Sequence, residues 1–144
     1  RPLLREVALS GAVPVIPLGA GKWMGARGRR VAEVVRGSWG GPLLLGDSAN
    51  RPTFWPRPAL FRQAREAGVA VLPGSDPLPF PGEASRVGRA GAVLTTPLDP
   101  HRPVATLRHR LRDASPALSC FRQGESLCRF VYNQAKMQLR TLLC

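Results

Sequence analysis

No apolar run in this 144-residue sequence approaches the ~18–20 residues of a membrane-spanning helix, so a helical membrane span is excluded. Lysine is almost missing: Lys22 and Lys136 stand against 19 arginines, scattered along the chain. Phosphate attracts either cation, so this skew reads as a coding bias and not as specific nucleic-acid recognition. The net charge of +12 still raises non-specific affinity for polyanions. Cysteine is scarce and odd in number. Cys120, Cys128 and Cys144 lack metal-type spacing, which fits a reduced, cytoplasmic compartment better than a disulfide framework. His-x-His, Cys-x-x-Cys, Gly-x-Ser-x-Gly and Gly-x-Gly-x-x-Gly are all absent. His101 and His109 lie before and within a helical stretch, where histidine is usually structural. No charged-then-apolar leader precedes a cleavage site, and the start at Arg1 reads as that of a fragment.

What is present is a composition that can fold, 44% apolar and 21% charged, at a length that suits one modest domain. Glycine and proline number 15 each, which suits many short elements joined by tight turns. Three short apolar runs end in turn residues: Val13–Ile16, Leu43–Leu45 and Val69–Leu72. Ala92–Thr96 is a weaker fourth. Each is apolar on both faces, as buried parallel strands are. Between and after them, Ala26–Arg36, Pro58–Ala67, Arg102–Asp113 and Glu125–Leu143 carry apolar residues at helical spacing, with Gly68 as a C-terminal stop. The last of these aligns Leu127, Val131, Ala135, Leu139 and Leu142.

Strands recurring every 26–30 residues with helices between them predict an α/β fold of parallel βα units. The candidates are half of an eight-stranded barrel or a small open parallel sheet. Residues 1–115 form the βα repeat and residues 116–144 a C-terminal helical extension. Both architectures place ligands at the carboxyl ends of the strands, where the suggestive polar residues fall. Asp76, in Gly74-Ser75-Asp76, projects into the mouth of the sheet, where a carboxylate binds a hard cation or takes a proton from water. Asp47 ends the preceding strand and is expected to face it. Asn50 and Arg51 suit a carboxyl or phosphoryl group. The same segments also read as ordinary Asx turns. Lys22 follows Gly19-Ala20-Gly21, but Ile16 and Trp23 replace the first glycine and the hydroxyl of a phosphate loop. It remains a cation able to hold an anionic substrate. Arg86 and Arg89 suit orientation of Asp76 or of substrate, or simply a solvated basic turn.

Val69–Gly91, with Leu72-Pro73-Gly74-Ser75-Asp76 at a strand end and Arg86-Val87-Gly88-Arg89 after it, resembles the last barrel strand of metal-dependent hydrolases. These are the amidohydrolases and the related polymerase-and-histidinol-phosphatase domains. The resemblance implies a divalent metal at Asp76; Asp47, at the neighbouring strand end but matching no family motif closely, is the candidate second ligand. Asp76 and Lys22 would then be catalytic, with Asn50, Arg51 and Arg86 binding a small-molecule substrate. The histidines those families carry on earlier strands are missing, and Pro77 stands where the phosphatase group often has one. The chain is therefore expected to be the C-terminal half of such a protein, completed by a missing N-terminal half or by self-association. Two other functions suit the sequence: a non-catalytic βα domain binding a small anionic ligand, and a module docking through its C-terminal helix.

Overall fold

In the computed structural model, residues 2–19, 23–37, 41–113 and 118–143 are described. The elements run α1 (Pro2–Leu9), β1 (Val15–Pro17), α2 (Gly25–Arg36), β2 (Leu44–Ser48), α3 (Ala59–Glu66) and β3 (Ala70–Gly74). A 3₁₀ turn at Glu83–Arg86 leads to β4 (Ala90–Leu94), α4 (Pro103–Arg112), β5 (Leu118–Arg122) and α5 (Leu127–Leu143). The three leading apolar runs become strands of one parallel sheet in the order β1-β2-β3. Leu44 pairs with Val15 and Ala70, and Ser48 with Gly74.

The core lies on one face of this sheet. Val35 of α2 and Phe61 and Ala64 of α3 cluster with Leu43 and Leu45, and Leu4 of α1 packs at the rim. The end of α3 shows how local sequence sets the geometry. Gly68 adopts φ +72°, which costs glycine little and β-carbon residues more. It lets Val69 N–H bond Ala64 O at 2.7 Å and Gly68 N–H bond Arg65 O at 3.1 Å, a Schellman closure that turns the chain into β3. Because strand order follows chain order and α2 and α3 share a face, the sheet is singly wound. The described strands form an open sheet and close no barrel.

Three expectations need correction. The fourth run does not extend the parallel set: β4 pairs antiparallel with β5, Ala90 opposite Arg122 and Leu94 opposite Leu118. Residues 116–144 supply that strand as well as the expected helix. Leu118-Ser-Cys-Phe-Arg122 has no β-branched residue, so its strand character comes from pairing with β4 and not from propensity. Thirdly, the expected burial of the strands on both faces holds for Leu44 and Leu45 but not for β3, which is half-buried along its whole length.

Candidate functional site

The carboxyl ends of β2 and β3 carry the predicted polar residues, but alternation separates them. Asp47 lies opposite Pro73 in the register and Ser48 opposite Gly74. Successive strand residues point to opposite faces, so Asp47 and Ser48 serve different neighbours. Asp47 does not meet Asp76. Its two oxygens are held by Arg51, Nε to Oδ1 at 2.9 Å and Nη2 to Oδ2 at 2.7 Å, in a bidentate pair whose side chains are 8% and 9% exposed. Arg122 of β5 approaches the same Oδ2 at 3.4 Å and donates Nη1–H to Arg51 O at 2.8 Å.

Ser48 is the residue that reaches Asp76: its hydroxyl donates to Oδ2 at 2.8 Å and accepts Asn50 N–H at 3.0 Å. Asn50 Nδ2 donates to the Asp76 carbonyl, while Asn50 Oδ1 is buried without a partner. Asp76 has φ +46°, the only non-glycine residue with positive φ among those described. Its short polar side chain tolerates that region better than most. Asp76 and Asn50 thus meet at one strand mouth, joined by Ser48, which the sequence reading did not flag. Lys22 lies outside the described residues.

Arg86 is not at the mouth. It is fully buried, bonded through Nη1 to Glu125, with Nε 3.4 Å from Glu83. Arg129 of α5 donates to Glu83 Oε1 at 2.8 Å and lies 3.8 Å from Glu125. Two glutamates and two arginines thus tie the turn at 83–86 to the start of α5. Burial by itself would raise Glu83. The Arg129 and Leu78 hydrogen bonds, with the charges of Arg86 and Arg129, outweigh it and hold the carboxyl below its ordinary value.

Sequence reasoning missed a groove of about 620 Å³ between α3, β3 and β5. Asp47, Arg51, Arg57 and Arg122 line it at the strand ends, and Phe61, Arg65, Val71 and Leu118 are among the residues that line it farther along. Cys120 Sγ lies 3.8 Å from Val71 O, in the middle of β3, while Arg122 reaches the end of β2. β5 therefore ascends beside β3 in the same direction. Burial, then repulsion from Arg51 and Arg57, lowers the Arg122 guanidinium from its ordinary value against the opposing pull of Asp47. The Cys120 thiol is raised by desolvation, which keeps it protonated and a poor nucleophile. Distant strands create this groove, and β5 carries no signal that announces it.

Among the described residues, no group of three or more His, Cys, Asp or Glu is placed to hold an ion, and both Asp47 oxygens already accept guanidinium hydrogen bonds. Among the described residues, no helix is long and apolar enough to cross a membrane. Comparison with protein families, curated proteins and solved structures finds no match to this chain.

Proposed function

We propose that the chain is a βα binding domain that takes a small anionic group at the carboxyl ends of β2, β3 and β5. The singly wound order of β1, β2 and β3 supports reading the sheet as a segment of a parallel βα barrel, a fold that binds ligands at that end. One observation carries the function. Arg51, Arg57 and Arg122 line one end of a groove in which Asp47 is the sole carboxylate. Three guanidinium groups around one carboxylate leave two positive charges uncompensated at that end, Arg65 farther along the groove adds another, and a partly desolvated site amplifies their repulsion. An anion relieves it. Arg51 is committed to Asp47 and to Trp55 O, so it positions the carboxylate. Arg57 is exposed and makes no hydrogen bond or ion pair with the described residues, and with Arg122 it supplies the contacts to the anion.

Thermal unfolding with inorganic phosphate, at matched ionic strength in chloride and with a chelator present, tests this. Phosphate at about 100 times its Kd should add about 2.7 kcal/mol of stability. Arg57→Gln should weaken the effect at least several-fold and leave the unliganded protein no less stable, because it removes one of the repelling charges. Absence of a saturable phosphate effect overturns the reading. Stabilisation by a divalent cation that Asp76→Asn abolishes would replace it with the hydrolytic centre that the Gly-Ser-Asp resemblance implies.

A second reading, docking through α5, is favoured by a separate observation. The helix turns its apolar stripe to solvent: Leu127, Val131, Leu139 and Leu142 are 55%, 56%, 60% and 81% exposed.

A further inference from the structure

A second cavity, of about 440 Å³, lies between α5 and residues 80–83 and shares no lining residue with the groove. Its charged lining is Glu83, Arg129 and Lys136. The first two are spent on each other and on the ion-pair network. Arg129 donates to Glu83 Oε1, while Leu78 N–H and the Arg86 guanidinium approach Oε2. Lys136 has no such partner. Its Nζ stands 4.7 Å from the centre of the Phe80 ring and 5.4 Å from that of Tyr132, and it donates to the Tyr132 hydroxyl at 3.4 Å. It forms no ion pair with a described carboxylate, and two of the three N–H donors of its ammonium remain free.

Asn133 is an independent sign of a ligand. It lines the same cavity, is 4% exposed, and lies three residues before Lys136, on the same side of the helix. Among the described residues nothing hydrogen-bonds its side chain, although buried polar groups are satisfied as a rule. Its amide offers both N–H donors and a carbonyl acceptor.

We infer that this cavity binds a small carboxylate with a neutral hydrogen-bond donor on the neighbouring carbon. The carboxylate lies between Lys136 Nζ and the Asn133 amide N–H, and the donor meets Asn133 Oδ1. Each unspent group selects one feature. The unpaired ammonium selects an anion. Glu83 on the same wall disfavours a second negative charge, so a monoanion fits better than a phosphate. A carboxylate alone would leave Asn133 Oδ1 buried without a partner, and a hydroxyl beside it removes that cost. The volume lies within the roughly 300–1,000 Å³ of small-molecule sites. This site is independent of the anion site in the groove.

Mandelate and phenylacetate differ by one hydroxyl on the carbon next to the carboxylate, and calorimetric titration of the full chain with each tests the inference. Both should bind, with the tighter enantiomer of mandelate ahead by several-fold, the value of one hydrogen bond. Lys136→Gln should weaken both at least about tenfold, and Asn133→Ala should abolish the preference for mandelate. A measurement on the unaltered protein guards against variants that fail to fold. Mandelate should slow alkylation of Cys128, which lines this cavity, and leave that of Cys120, which lines the groove, unchanged. Protection of Cys120 in place of Cys128 would move the carboxylate to the arginines of the groove and overturn the inference. Equal affinity for the two probes overturns the role of Asn133 and with it the ligand class. Absence of saturable binding overturns the site, and leaves the groove standing.

Discussion

Asp76 shows how one residue is fixed by backbone and side chain together. Its φ of +46° costs a β-carbon residue roughly 1–2 kcal/mol, and Asp and Asn pay least because their side chains bond locally. Ser48 and Asn50 hold both ends of it, one on the carboxylate and one on the carbonyl. Asp76→Asn should therefore leave stability within about 0.5 kcal/mol, since Asn suits the same backbone and accepts the Ser48 hydroxyl. Asp76→Ala should cost about 1–2 kcal/mol, through the positive φ and the lost hydrogen bond. Urea unfolding of the two variants checks this. Equal loss in both would assign the role of Asp76 to its charge and not to its conformation.

At the level of elements, α5 is held by polar contacts along one face. Arg129 meets Glu83, Lys136 sits 4.7 Å above the Phe80 ring, and Arg140 donates to Pro79 O. Asn133 on that face is 4% exposed. Trp55 and Phe130 add an edge-to-face contact at 5.6 Å. The Glu83–Arg86–Glu125–Arg129 network anchors the start of the helix, and removing one partner of a buried ion pair costs more than the pair contributes. Glu125→Ala should destabilise the protein by about 3–5 kcal/mol, because Arg86 would lose its hydrogen-bonded carboxylate and share Glu83 alone with Arg129. The pH dependence has a definite sign. Glu83 titrates lower folded than unfolded, so it contributes stability above its unfolded value, near 4.5, and loses it as pH falls through the folded value. Urea midpoints should decline as pH drops below about 4.5, and less steeply in Glu83→Gln. A wild-type profile flat through this range would contradict the network's role.

For the whole molecule, surface left uncovered decides the behaviour. The α5 stripe and the outer edge of β1, which no described strand pairs, leave apolar and backbone groups open to another chain. Sedimentation velocity should show concentration-dependent association of the wild type. Val131→Glu should reduce it, with stability changed by less than about 0.5 kcal/mol because Val131 is exposed. A clean monomer at high concentration would remove the docking reading of α5.

Short-range information was enough for much of the architecture. The apolar runs at 43–45 and 69–72 and the helical spacing between them identify β2, α3 and β3, because burial of a strand and closure of a helix by Gly68 depend on neighbours within a few residues. The position of Asp76 and Asn50 at the strand mouth follows from the same local signals. Tertiary structure alone decided which charges meet. Asp47 is claimed by Arg51 within its own turn, yet its second guanidinium comes from Arg122 on a strand with little intrinsic propensity. Arg86 leaves the mouth for Glu125, 39 residues away. The periodicity of α5 correctly gives a helix and an apolar stripe, but not the side that turns inward. That side was chosen by Glu83, Phe80 and Pro79, whose partners on the opposite face of the helix outweigh the burial of Leu127, Val131, Leu139 and Leu142. Periodicity measures which residues share a face; only the contacts made by the rest of the chain determine what that face meets.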